Sequence, residues 1–324
     1  MTDPPLGLEK PLGAQVGDIA HPGTVGLVDA TLDAGLELKT RSQWSYARSR
    51  FLRHRLAMGG LLGLIILFGA GIFANVVAPY PVDQIDLTRI LEAPTMQGHH
   101  FLGTDGIGRD FLSRILFGIR TSEEVGVFVA VISSFIGLVV GAIAGYYSGL
   151  LDNILMRLTD LTLTLPLFAV LATASALLGT GGKWRISLIL ALLLWTTIAR
   201  VVRGVFLSLR EKEYVEAAKA SGAGDLRIMF RHILPNTLGP VVVAGTLAVA
   251  TAILIEAALS FLGFGIKPPT PSLGVLISDG QSYPQQWWLT VFPGLAIVLI
   301  VLCINFIGDG LRDALDPQQR RVRA

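Results

Sequence analysis

The chain has 324 residues, with 26 Lys or Arg against 24 Asp or Glu, and its charged share is 15 % while apolar residues reach 52 %. Soluble domains carry about 25 % charged residues, and the mean hydropathy here is +0.61, so an ordinary soluble enzyme and a disordered chain are both excluded. The net charge of +2 says little, because the distribution of the basic residues matters and not their sum, and the single cysteine, Cys303, excludes an intrachain disulfide scaffold.

Residues 1–43 contain several Pro and Gly and no amphipathic repeat, and read as a cytoplasmic tail without a fixed fold. They are not a cleavable signal peptide, because the first long apolar run begins near residue 56 and is too long for one. Residues 44–78 form an amino-terminal segment leading into that run. Six apolar runs of membrane length follow one another, over 56–78, 125–147, 161–178, 186–202, 238–259 and 287–308. At about 1.5 Å per residue each covers a hydrocarbon core about 30 Å thick. Only 179–185 separate the third from the fourth, and Arg200 intrudes near the fourth's end, so a five-span reading stays open. Residues 79–124 form an external segment, 125–308 the transmembrane core, and 309–324 a second cytoplasmic tail.

Basic residues are retained on the cytoplasmic side. With the amino terminus inside, the inner segments adjoining the spans carry eighteen Lys or Arg and the outer segments seven. Both termini are therefore expected in the cytoplasm of a bacterial inner-membrane protein.

The basic loop 203–236 is the most informative segment. Tyr214, Ala217, Ala218 and Ser221 fall at i, i+3, i+4 and i+7, one face of a helix that Gly222 should end by taking a left-handed conformation. Asp225 suits an N-cap for a second helix, whose Leu226, Met229, Phe230 and Ile233 repeat the spacing until Pro235 stops it. The second stripe is bulky and suits packing on the chain's own membrane domain. The first is small and lets another protein's backbone approach, which predicts a docking surface. The same periodicity also fits an amphipathic helix resting on the bilayer.

Glu216, Ala217, Ala218 and Gly222, followed by Leu234 and Pro235, resemble the EAA loop of membrane subunits of ATP-binding-cassette importers; His232 stands where that pattern favours an apolar residue. Leu102, Gly103, Thr104 and Asp105, then Gly108, Arg109 and Asp110, then Ser113, Arg114, Gly118, Arg120 and Ser122, resemble the dipeptide, oligopeptide and nickel permease family. Glu256, Ala257, Leu259, Ser260, Phe261, Leu262 and Gly263 resemble that family's signature at the end of its fifth span. The resemblance covers 44–317. It implies an all-helical integral membrane protein with six transmembrane helices in the type I importer permease (MetI-like) fold. It further implies half of a translocation pathway for peptides or, alternatively, nickel or another small solute. The implied partners are a homologous second permease subunit, two ATPase subunits or domains, an external substrate-binding protein and membrane lipid, with no nucleic acid. The implied ATPase contact is Tyr214, Glu216, Ala217, Ala218, Ser221 and Gly222.

No phosphate-binding loop G-x-x-x-x-G-K-[ST] occurs in the sequence. No catalytic residue, metal site or cofactor is therefore expected in this chain, and ATP and Mg are expected in the partner ATPases. Several features keep two readings. Gly137, Gly141 and Gly145 mark close helix packing, within the subunit or against the partner permease. Pro166 marks a fixed bend or a hinge. Glu256 is a hydrogen-bonded structural carboxylate or part of the pathway or an outer gate. Arg109, Asp110 and Arg114 belong to an ion-paired folded loop or receive the external binding protein. Adjacent His99 and His100 read as loop residues, and Trp184, Trp287 and Trp288 as an interfacial belt. An ion-coupled secondary transporter would need ionisable groups at mid-membrane, and a membrane enzyme a nucleophile or paired carboxylates; neither pattern is present.

Overall fold

The computed structural model describes residues 43–178 and 182–315. The tail expected over 1–43 lies outside the described residues apart from Gln43, as do 179–181 and 316–324. Helix α1 (Gln43–Arg53) is separated from α2 (Arg55–Ile72) by His54, whose backbone is extended and whose ring nitrogen accepts from the Ala57 amide at 3.1 Å. A lobe of turns follows, with an isolated bridge between Thr104 and Asp110. Helix α3 (Phe111–Tyr147) then runs 37 residues, about 55 Å. It begins at Asp110, whose carboxylate caps the Ser113 amide at 2.8 Å. Residues 111–124, expected in the external segment, thus form the first turns of a span that overshoots the hydrocarbon core.

Helices α4 (Gly149–Thr164) and α5 (Leu167–Leu178) meet at an 82° bend. Leu165 takes the extended conformation (ψ 131°) that a following proline imposes, so the third apolar run is a broken helix rather than a straight one. Helix α6 (Lys183–Arg210) leads to α7 (Glu213–Ala220) in the loop, and α8 (Leu234–Phe261), α9 (Leu273–Gln281) and α10 (Trp288–Leu315) complete the bundle. Five segments are long and apolar enough to cross a membrane, namely α2, α3, α6, Asp225–Phe261 and α10; the bent pair α4 and α5 makes the sixth when taken as one span. The six-run expectation is met in that form.

The tightest seam joins α3 to α6. A Cβ placed on Gly137 would lie 2.8 Å from Ile198, one on Gly141 2.5 Å from the Ala199 carbonyl oxygen, and one on Gly145 2.6 Å from Phe206. The glycine row therefore packs inside the subunit, the first of its two readings. Helix α4 is tied to the same helix by charge: Arg203 forks onto Asp152 at 2.5 and 2.6 Å, and Arg200 reaches Asp160 at 2.6 Å. This pairing accounts for basic residues at the end of the fourth apolar run. Elsewhere Leu62, Ile65 and Ile66 on α2, Val131 and Phe135 on α3, and Leu150, Ile154, Leu158 and Leu161 on α4 stay exposed, the faces left for lipid or a second subunit. Trp184 and Trp287 are half exposed, as an interfacial belt requires, but Trp288 is buried and points its indole nitrogen at the Thr104 carbonyl.

Gly141→Leu should lower the thermal midpoint of the purified protein by an amount equivalent to about 1–3 kcal/mol, the usual cost of overpacking. Gly59→Leu should leave it unchanged, because a Cβ there meets nothing within 4 Å.

Candidate functional site

Helix α6 ends where Arg210 donates to the Tyr146 carbonyl at 2.9 Å and to Ser148 Oγ at 2.5 Å, which fixes the exit of the loop against the end of α3. Helix α7 follows after Lys212. Glu213 and Glu216 stand in its first turn and Lys219 in its last, each with favourable sign for the helix dipole. Gly222 has φ +78°, and its amide bonds the Lys219 carbonyl while the Ala223 amide bonds that of Ala218. This pair of bonds is a Schellman stop, which needs a residue that tolerates positive φ.

The predicted stripe splits. Tyr214, Ala217 and Ser221 are exposed, with Glu216 and Gly222 beside them, whereas Ala218 is half-buried. Val215, which sequence spacing did not single out, is fully buried among Val202, Phe206, Ile228 and Ile233. Burial holds the Tyr214 phenol above its ordinary value, and a hydrogen bond to Asn236 partly offsets this. The result is a short helix seated by one valine, with Tyr214 and the small side chains of Ala217 and Ser221 turned outward.

The second half of the loop departs from expectation. Gly224, not Asp225, takes the extended position before the helix, and the Asp225 carboxylate instead accepts the Tyr146 hydroxyl at 2.6 Å. Ile228–Ile233 form a π-helical turn that runs directly into α8, so Pro235 sits in the first turn of α8 rather than ending a helix. A first-turn proline sacrifices no bond the helix would otherwise make. The wider turn also shifts the face: Ile228, Met229 and Ile233 are buried, while Leu226 and Phe230, expected inside, are 66 % and 63 % exposed. These two large side chains lie across the Gly222 hinge from the small row.

The other candidate residues lie at the far end of α3. Arg109 Nε is 2.7 Å from Asp105, and Asp110 is buried between the His100 ring at 2.9 Å and Ser113. His100 stacks on Tyr80 with centroids 4.8 Å apart. Arg114 is 1 % exposed, 3.5 Å from Asp105. Burial therefore makes Asp110 and Arg114 members of an ion-paired lobe and leaves them no open surface for an external protein. Glu256 is fully buried and accepts Ser260 Oγ at 2.6 Å and Ser122 Oγ at 3.3 Å, the structural of its two readings. Beside this lobe, burial pushes the Asp279 carboxyl above its ordinary value of 3.8; Arg109 opposes the shift and Asp105 adds to it.

Residues 137–321 match the sequence family described as binding-protein-dependent transport system inner membrane component, and residues 42–94 match the N-terminal TM domain of oligopeptide transport permease C. The oligopeptide transport system permease protein OppC of Mycobacterium tuberculosis H37Rv is 42 % identical over 278 residues, covering 85 % of this chain and 94 % of that one. The protein of the same name from Haemophilus influenzae is 40 % identical over 289 residues, 88 % and 92 % of the two chains. A putative peptide permease protein of Brucella suis is 43 % identical over 276 residues, 83 % and 89 %. Among solved structures, an inward-facing MetNI methionine ABC transporter superposes with TM-score 0.52 at 20 % identity, over 63 % of this chain and 96 % of that one. This last likeness speaks to the fold.

Two measurements check the geometry. Tyr146→Phe removes the bond to Asp225 and should loosen 213–233 by about 1.5–3 kcal/mol, the range for a hydrogen bond to a charged group, seen as faster amide exchange there and not in α10. For Asp279, a raised carboxyl pKa means that ionisation opposes the fold: the contribution is full below the unfolded value and lost as pH rises through the folded one. Asp279→Asn should therefore raise the thermal midpoint at neutral pH and leave it unchanged below the ordinary carboxylate range. An equal change at both pH values would remove the argument.

Proposed function

Because the chain belongs to the binding-protein-dependent transport system inner membrane component family, we propose that it is a permease subunit of an ATP-driven importer and forms half of its pathway for peptides. The peptide assignment follows the names of its relatives, which are oligopeptide and peptide permeases sharing most of the chain. Nucleotide chemistry belongs to partner ATPases, which hold ATP and Mg, since the sequence carries no phosphate-binding loop. The pathway is completed by a second, homologous permease subunit, and an external binding protein delivers the solute. Both termini lie on the cytoplasmic side by the distribution of basic residues.

The observation that carries this reading is the outward row Tyr214, Ala217 and Ser221 on a helix anchored from beneath by Val215. A rigid helix with small exposed side chains fits into a groove of another protein and transmits a push, whereas a helix built only to rest on lipid would turn its apolar side chains outward. When the ATPases close on ATP, displacement of α7 is passed to α3, α6 and α8, whose ends share its core, and the paired spans change which side they open to.

Ala217→Arg tests this in cells. Uptake of a labelled peptide should fall at least tenfold while the protein remains inserted at normal level, the ATPase should no longer copurify, and Ala217→Ser should retain uptake. Normal uptake by the arginine variant would refute the docking role.

A further inference from the structure

Helix α1 carries none of the residues assigned above to the ATPase contact, the pathway or the external lobe, yet its surface is specific. One face is docked: Phe51 lies against α10, where a Cβ on Gly310 would sit 3.3 Å from its ring. On the other arc Arg48, Leu52, Arg53 and Tyr46 are exposed, and beyond the His54 break the first residues of α2, Arg55 and Leu56, are exposed as well. Tyr46, Leu52 and Leu56 are 49 %, 51 % and 59 % exposed, which is unusual for large apolar side chains unless something covers them. Among the described residues Arg48, Arg53 and Arg55 make no ion pair, and 43–56 contains no Asp or Glu. Of the acidic groups on the neighbouring α10, Asp313 faces His54 at 3.6 Å, and Asp309 and Asp313 line, with Arg312, His54 and Leu56, a groove at the edge of this arc.

We propose that this arc binds anionic phospholipid. Three guanidinium groups that pair with no other described residue, interleaved with exposed Leu and Tyr, call for a partner that is negatively charged and apolar within a few ångström, a description met by the headgroup region of a bilayer. The position agrees: Leu56 opens the first membrane span, so the arc stands where hydrocarbon gives way to water. Arginine stems lie along the acyl boundary while their heads reach phosphate, which they pair in a fork. The extended residue His54 separates α1 from the helix of the span. Lipid phosphate and free phosphate share this chemistry, but only lipid satisfies Leu52 and Leu56.

The full chain, purified in detergent, is offered equimolar phosphatidylglycerol and phosphatidylcholine, and retained lipid is read by native mass spectrometry. The wild type should retain phosphatidylglycerol in preference, and Arg48→Gln/Arg53→Gln/Arg55→Gln should lose roughly fivefold of that preference per arginine at low salt. Lys267→Gln, exposed at the opposite end, should keep the preference, and an unchanged thermal midpoint certifies the triple variant as folded. Excess inorganic phosphate should not displace the lipid. No preference in the wild type, an unchanged preference in the folded triple variant, or displacement by free phosphate each overturns the proposal. So does a triple variant that keeps its lipid and instead loses a copurifying protein, which would make the arc a protein-docking face.

Discussion

The contact between α3 and α6 sets the geometry of everything at the loop end of the molecule. In hydrocarbon there is no water to expel from between two helices, so association rests on dispersion contacts and therefore on how near the backbones come. Gly137, Gly141 and Gly145 recur every four residues and face Ile198, Val202 and Phe206, which also recur every four. Two ridges with the same spacing interlock along their length. Any side chain on the glycine row would wedge the helices apart and shift their ends.

Those ends are where the loop is attached. Tyr146 and Ser148 close α3, Arg203, Phe206 and Arg210 close α6, and between them they supply the bonds to Asp225 and Asp152 and the apolar seat for Val215. A glycine seam in the membrane thus fixes the position of a helix outside it. The rigidity runs in both directions, since a force on α7 has no soft element between Val215 and the two spans in which to dissipate.

Much of this was legible from residue order. Charge-free runs identified the spans, and the stop at Gly222 followed from the need for positive φ. What the sequence could not carry was geometry that depends on a neighbour. The inward turn of Val215 is set by the core beneath it, because Val215 and Ala217 differ by about 200° on a wheel and periodicity does not say which side faces protein. The π turn over 228–233 inverts the roles of Phe230 and Ile228, and no local signal announces it, since Ile-Met-Phe reads equally well as an α-helical stripe. Asp225 was read as a cap because its only visible partners were local; the Tyr146 hydroxyl is 79 positions away in the chain. The buried state of Arg114 and Glu256 was hidden for the same reason, each being paired across elements.

The π turn also bears on how motion would travel. It carries the loop into α8 with no break in the helix, over Asp225–Phe261. The glycine seam holds α3 and α6 as one unit, because sliding would bring the clashes at Gly137, Gly141 and Gly145. Helix α8 packs on that unit along its length: a Cβ on Gly126 of α3 would lie 2.9 Å from Ile253, and one on Gly245 of α8 2.9 Å from Ser134. Its far end carries Glu256 and Ser260 against Ser122 of α3, a polar clasp that resists separation there.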